Sequence, residues 1–339
     1  MKTMLKGLTT AAAVALLAAP AAAQEDEVSE ITWGLLAVES QENLMKRRGP
    51  ILEAMEEKIG MPIEPFLATD YTGMIEAMRF DEVDVVLAGN KSAMTAVDRA
   101  GAEVFAQEVN KDGSMGYHSV LVTQAGNEAF DSLEDVLGTC DGQSIDFGIG
   151  DAQSTSGFLV PTTFIFAAND VTPQECFSTV RNASHEANLL SVANGQVDVA
   201  TANTAALSER LEENNPEAFA KVKEIWRSPL ITSDPLLWRA NLPEDAKAKI
   251  CHAVMSFGRL GPPEQVREER ALLENGDFRP FQPSSNLQLL PSREMEATKE
   301  VLRIEGDETM SAGEKEEAIA GLRAEIERVR EMKAELPNM

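Results

Sequence analysis

Past residue 29 the chain alternates short apolar runs with amphipathic stretches. Residues 30–37, EITWGLLA, read as a strand, and residues 41–59 as a helix with a break near Gly49 and Pro50. MPIEPFLA (61–68) reads as a strand, YTGMIEAMRF (71–80) as a short helix, VDVVLA (83–88) as a buried strand and SAMTAVDRA (92–100) as a helix. Strands separated this regularly by helices argue for an α/β sheet that is largely parallel. The rhythm restarts at GYHSVLVTQ (116–124) and runs through SLEDVLG (132–138), SIDFGIG (144–150), FSTVR (177–181), SHEANLLSVANG (184–195) and VDVATAN (197–203). Two similar series imply two lobes. Residues 225–242, IWRSPLITSDPLLWRANL, are extended and interrupted by prolines, as a crossing back to the first lobe would be, and the pattern turns helical again from about 243. The division expected is 24–118 for the first part of lobe one, 119–232 for lobe two, 233–305 for the rest of lobe one and 306–339 for a C-terminal helix.

That helix places Ile319, Leu322, Ile326, Val329 and Met332 three and four residues apart, with Glu, Lys and Arg elsewhere. Such a stripe either docks on its own lobe or joins two copies in a homodimer. At the other end, residues 1–23 carry Lys2 and Lys6, an apolar run and an Ala-x-Ala site, the pattern of a signal peptide cut before Gln24. The run falls short of the roughly 20 apolar residues of a membrane span. An exported, periplasmic product is therefore expected.

Composition narrows the function classes. A formal charge of −26 with no basic cluster repels nucleic acid and anionic lipid. Three cysteines are too few for a disulfide scaffold and lack metal-ligand spacing. Cys140 and Cys176 each precede a strand, and a right-handed β-α-β unit would bring both near the same sheet end; their pairing, with Cys251 free, is the one bridge expected. No HExxH, GxSxG or carboxylate cluster is present, so neither metal nor cofactor is anticipated.

The chemistry concentrates in GDAQSTSGFLVP, residues 150–161. Pro161 cannot sit deep inside an α-helix, so a helix should begin within about a turn before it, with Ser154, Thr155 and Ser156 at its N-terminus. Unpaired N–H groups and the dipole favour an oxyanion there, although Ser and Thr also serve as plain N-caps. His185 opens the next β-α turn, on the sheet edge where open α/β sheets bind ligands; a lone His is as readily structural. The only tyrosines, Tyr71 and Tyr117, fall at loop-to-element junctions, where they suit cleft walls. Asp234 lies on the crossing segment, either a turn residue before Pro235 or a cleft carboxylate able to accept from an ammonium or from a protonated oxyanion.

Taken together, DYTGMIEAMRF, VDVVLAGNKSAMTAVDRA, GDAQSTSGFLVP, HEAN, VANGQVDVATANT, SPLITSDPLLWR and FQPSSNLQLLP resemble, in order and over nearly the whole chain, the phosphonate-binding proteins of bacterial ABC importers. The resemblance implies a two-lobed periplasmic-binding fold of type II with two crossing hinge strands, a phosphonate or phosphite ligand and ABC membrane subunits as partners. Carried over, Ser154, Thr155, Ser156 and His185 grip the oxyanion, with Tyr71, Tyr117 and Asp234 around the substituent. Members that take aminoalkylphosphonates have a Glu after the Asn-Thr pair; here Ala205 stands there, and the expected ligands are 2-aminoethylphosphonate, small alkylphosphonates or phosphite, unranked. His118 and Ala88 replace two further aromatic positions. An exported phosphoryl hydrolase or transferase using the same anion site is the competing expectation, and a ligand-loaded partner of a chemoreceptor a third.

Overall fold

A computed structural model describes residues 28–336, so the expected signal peptide lies outside the described residues. The chain opens with β1 (Ile31–Leu36), α1 (Gln41–Ile59), β2 (Ile63–Ala68), α2 (Tyr71–Arg79), β3 (Val85–Leu87), α3 (Asn90–Arg99) and β4 (Ala102–Asn110). It crosses through β5 (Gly116–Tyr117) to β6 (Ser119–Gln124), α4 (Leu133–Leu137), β7 (Asp146–Ile149), π-helical turns at Thr155–Leu159 and Thr162–Phe166, α5 (Pro173–Cys176), β8 (Thr179–Asn182), α6 (His185–Ala193) and β9 (Val199–Asn203). A further π-helical turn, Ala206–Leu211, leads to α7 (Glu212–Asn214), α8 (Pro216–Phe219) and β10 (Val222–Arg227). The return runs through β11 (Ile231–Thr232) to β12 (Pro235–Arg239), α9 (Glu244–Ser256), α10 (Pro263–Asn275), β13 (Phe278–Pro283), α11 (Leu290–Gly306) and α12 (Ala312–Glu335).

The first lobe is built on a six-stranded sheet ordered β13-β4-β12-β3-β1-β2 and the second on a five-stranded sheet ordered β10-β6-β9-β7-β8. β1 runs parallel to β2 and β3, and β7 parallel to β8 and β9, whereas the returning strand β12 opposes both β3 and β4. Between the lobes β5 and β11 pair antiparallel, Tyr117 opposite Ile231, as the two crossing strands. The period-two pattern explains how each sheet is covered. Ile31, Trp33 and Leu35 point into one core with Leu52 and Met55 of α1 and Ile250 and Phe257 beyond β12, while Val86, Val104 and Leu237 face a second core with Met74, Met78 and Ala93 of α2 and α3.

Two helix readings need correction. α1 is continuous through Pro50. Gly49 lacks the Cβ that would clash with the proline ring, and exposure of both Lys46 and Pro50 leaves the unpaired Lys46 carbonyl on the solvent side. Pro161 likewise lies well inside its helical segment, because the carbonyls a proline leaves unbonded have partners elsewhere. Ser156 O accepts from the Ser119 hydroxyl at 2.6 Å, and Gly157 O accepts from Gly150 N–H at 2.9 Å and the Thr201 hydroxyl at 2.8 Å.

Cys140 and Cys176 form a disulfide that ties the segment before β7 to the one before β8, and Cys251 is free. Ser311 caps α12 reciprocally with Glu314. The stripe of α12 buries Ile319 and Ile326 against Ala297, Val301 and Ile304 of α11.

Candidate functional site

The loop after β7 is closed on itself by the Gly150–Gly157 bond, and a Cβ on either glycine would come within 2.6–2.9 Å of the other's Cα. That close approach sets Ser154 as N-cap, its hydroxyl accepting from Gly157 N–H at 3.0 Å. The plain N-cap reading thus holds for Ser154, and the two residues after it do something else. Thr155 Oγ1 accepts from Lys91 N–H of α3, on the opposite lobe, at 2.9 Å. Ser156 Oγ accepts from Asn203 Nδ2 at 3.3 Å and lies 3.4 Å from His185 Nε2. All three are 2% exposed, and His185 5%. Each hydroxyl oxygen accepts from the protein, which leaves its proton to donate.

These side chains open on a cavity of about 130 Å³ between the lobes, and Tyr71, Tyr117 and Asp234 line the same cavity. All seven residues singled out in the sequence therefore converge. By the roughly 30 Å³ share of one water, the space suits a ligand of a few heavy atoms to a short chain. Tyr71 opens α2 behind its cap Asp70 and reaches toward Ser154; burial pushes its phenol up to about 12. Tyr117, on crossing strand β5, donates to Asp234 Oδ1 at 2.9 Å. Burial and the neighbouring Glu108 raise the Asp234 carboxyl well above its ordinary range, and burial with the Asp234 charge does the same to Tyr117.

Other lining residues left no signal in the sequence. Arg210, from the π-helical turn after β9, lines the cavity and has no hydrogen bond or ion pair among the described residues. Arg48 of α1 stacks over Phe278 at 3.6 Å and donates to Gly276 O at 2.5 Å; burial and Arg47 push it down to about 9. Glu108 of β4 and Glu39 of the β1–α1 connection add carboxyls, and Ala205 lines the wall where the resemblance leads one to look for a Glu. These residues lie far apart in the chain and belong to no local motif. Of the other substitutions noted in the sequence, His118 does not line the cavity and holds Ser228 O at 2.8 Å instead.

His185 is pushed down to about 3, first by burial and then by the Arg210 charge. It is neutral at neutral pH, so the added strength of a protonated imidazole is not available there. The Ser156–His185 pair has the types of a nucleophile and its base, but His185 Nδ1 is buried without a partner to orient it, and so low a pKa makes a poor base. The arrangement holds an anion better than it activates a serine.

The lobes touch across the cavity. Besides Lys91 with Thr155, Ser40 N–H donates to Glu186 Oε2 at 2.7 Å and the Thr95 hydroxyl to Gln153 Oε1 at 2.8 Å. Each of these bonds joins one lobe to the other.

Comparison with known proteins supplies context for this geometry. The family described as "ABC transporter, phosphonate, periplasmic substrate-binding protein" matches residues 33–289. The phosphonates-binding periplasmic protein of Escherichia coli K12 is 41% identical over 319 residues, covering 94% of this chain and 91% of that protein. The crystal structure of a binding protein component of an ABC phosphonate transporter from Pseudomonas aeruginosa superposes with a TM-score of 0.86 at 40% identity, covering 91% of this chain and 99% of the other. A Prochlorococcus marinus protein solved in complex with methylphosphonate shares the fold, with a TM-score of 0.68 at 18% identity over 79% of this chain and 97% of its own.

Proposed function

The chain belongs to the periplasmic substrate-binding proteins of phosphonate ABC transporters, a family of transport receptors rather than enzymes, and from that premise we propose how its cavity captures the ligand. The phosphonate oxygens are taken by the hydroxyls of Ser154, Thr155 and Ser156 and by His185, with Arg210 supplying a formal positive charge. Tyr71, Tyr117 and Asp234 enclose the substituent. The observation that carries this reading is the three buried hydroxyls, each already accepting from the protein or packed at the helix start, around a cavity of about 130 Å³ walled by both lobes.

Lobe two holds the anion first, and lobe one closes by bending at β5 and β11, dividing the chain near residues 118, 232 and 305. A ligand favours closure only by binding the closed form better than the open one. Micromolar to nanomolar capture requires about −8 to −12 kcal/mol, which several charge-assisted bonds of about 1.5–3 kcal/mol each can supply. The closed receptor then docks on the membrane subunits of its transporter. Residues 1–23 act as the export signal in this proposal. For α12 we propose the intramolecular role, since Ile319, Ile326 and Val329 are already buried; a dimer in sedimentation that dissociates on mutation of Met332 would reinstate pairing of two copies.

Ser156→Ala and His185→Ala should each weaken binding of methylphosphonate measured by calorimetry. Wild-type affinity in both variants would remove the assignment of the anion pole.

A further inference from the structure

We propose that Arg48 receives a second anionic group at the far end of the ligand, so that this receptor prefers a phosphonate whose substituent ends in a carboxylate over its uncharged isostere. The inference rests on phosphonate capture by the interlobe cavity and goes beyond it in naming the substituent and the residue that selects it.

Arg47 and Arg48 are neighbours on α1 in opposite circumstances. Arg47 is matched by two carboxylates, Glu39 and, at 2.5 Å, Asp277. Arg48 lines the cavity, and no carboxylate lies within ion-pair distance of it among the described residues. Its Nη1 donates to Gly276 O at 2.5 Å, and its plane is held over the Phe278 ring at 3.6 Å. That leaves Nε and Nη2 without a hydrogen-bond partner among the described residues. They form the edge of a guanidinium that takes a carboxylate in two parallel bonds. The ring beneath and the carbonyl at one end fix the plane before a ligand arrives, so little side-chain freedom is lost on binding.

The surrounding charges favour the same occupant. Burial and Arg47 push Arg48 down to about 9, so it remains a cation at neutral pH. A buried cation without a paired anion is costly, and a ligand carboxylate removes that cost where an amide does not. Among the lining acids, Glu39 is taken by Arg47, and Glu108 is the one whose charge acts on Arg48. Glu108 adjoins Asp234, donating its N–H to Asp234 O at 3.0 Å. Burial raises Glu108, and burial and Glu108 raise Asp234. Two adjacent carboxyls disfavour each other's charge, so the pair favours holding a proton and can donate to a carboxylate rather than repel it. Ala205 adds no charge to the wall. Arg210 stands close enough to His185 to lower its pKa, beside the oxyanion hydroxyls. The two guanidiniums come from opposite lobes, Arg48 from α1 and Arg210 from the turn after β9. A ligand anionic at both ends therefore engages a cation of each lobe, which favours the closed form.

The test titrates phosphonoacetate and phosphonoacetamide, and 3-phosphonopropionate and its amide, calorimetrically into the wild type, Arg48→Gln and Ala205→Glu. Acid and amide differ in charge and hardly in shape, and the two chain lengths bracket the reach from the hydroxyls to Arg48. In the better-fitting pair the wild type should prefer the acid by about tenfold to a hundredfold, the worth of one charge-assisted contact. That ratio should collapse toward one in Arg48→Gln, and also in Ala205→Glu, where a carboxylate added to the wall repels the acid alone. A wild type that binds the amides as well as the acids, or binds methylphosphonate but none of the four, would overturn the seat while leaving phosphonate capture standing. So would a ratio that survives either substitution. Failure of the wild type to bind any of the four and methylphosphonate as well would overturn the phosphonate reading and the seat with it. Should Arg48→Gln fail to fold, as read by circular dichroism, Ala205→Glu decides by the same ratio.

Discussion

Replacing Thr155 by Val tests the bond that joins the anion loop to the opposite lobe. Thr155 Oγ1 accepts the Lys91 N–H at 2.9 Å across the cleft, and Lys91 is the second residue of α3, whose own N-cap, Gly89, offers no side chain. Thr155 thus caps a helix of the other lobe, and a Cβ at position 89 would come within 3.2 Å of its hydroxyl. Valine keeps the shape and removes the oxygen. In the closed form Lys91 N–H then loses its partner in a buried place, a cost of about 1–3 kcal/mol; in the open form water satisfies it. The interlobe cap and the hydroxyl's own donation to the anion are lost together, so the apparent ligand affinity should fall by at least about 5- to 150-fold, while the thermal midpoint of the ligand-free protein stays close to wild type. Calorimetry with methylphosphonate, together with melting curves with and without ligand, gives both quantities. Thr155→Ser keeps the oxygen and should bind like the wild type. A Val variant with undiminished affinity, or a Ser variant as weak as the Val variant, would refute the interlobe cap.

Two further outcomes follow from the buried groups. The folded His185 resists protonation down to about 3, whereas the unfolded chain takes up that proton near the ordinary value of about 6.5. The unfolded state therefore binds more protons between those values, and stability is lost as pH falls through that window. Relative to His185→Asn, the wild type should lose about 2 kcal/mol in denaturant titrations between pH 7 and pH 5, and parallel pH profiles would contradict the neutral buried imidazole. The Cys140–Cys176 bridge spans a sequence separation of 36, for which loop closure gives about 3–4 kcal/mol. Cys140→Ser/Cys176→Ser should lower the stability of lobe two by that order in guanidinium unfolding; an unshifted transition would show that the bridge constrains little.

The cluster proposed as the anion pole was legible in the sequence because its determinants are local. One loop of eight residues carries the hydroxyls and both glycines that fold it, and the strand-then-helix rhythm puts His185 on the same sheet edge. Tyr71 and Tyr117 could be picked out as the only two tyrosines, both at loop-to-element junctions, and Asp234 by its place on the crossing segment. Glu108, Arg48 and Arg210 could not, since an acid inside a strand or an arginine on a helix is the ordinary pattern of a solvated face, and only the packing of distant segments turns them inward. The same limit governed the prolines. Pro50 and Pro161 are local stop signals, overridden by Gly49 in one case and by bonds to Ser119, Gly150 and Thr201 in the other. The charge of −26 argues against a nucleic-acid partner but gave no hint of the Arg210 guanidinium within the cavity.

The central proposal is that the interlobe cavity captures a phosphonate and does not transform it. The most direct measurement is a calorimetric titration of the purified wild-type protein with 2-aminoethylphosphonate, followed by phosphorus NMR of the same sample. Saturable one-to-one binding is expected at micromolar affinity or tighter, about −8 kcal/mol or better, with the ligand recovered intact. No heat of binding, or release of inorganic phosphate at catalytic protein levels, would contradict it.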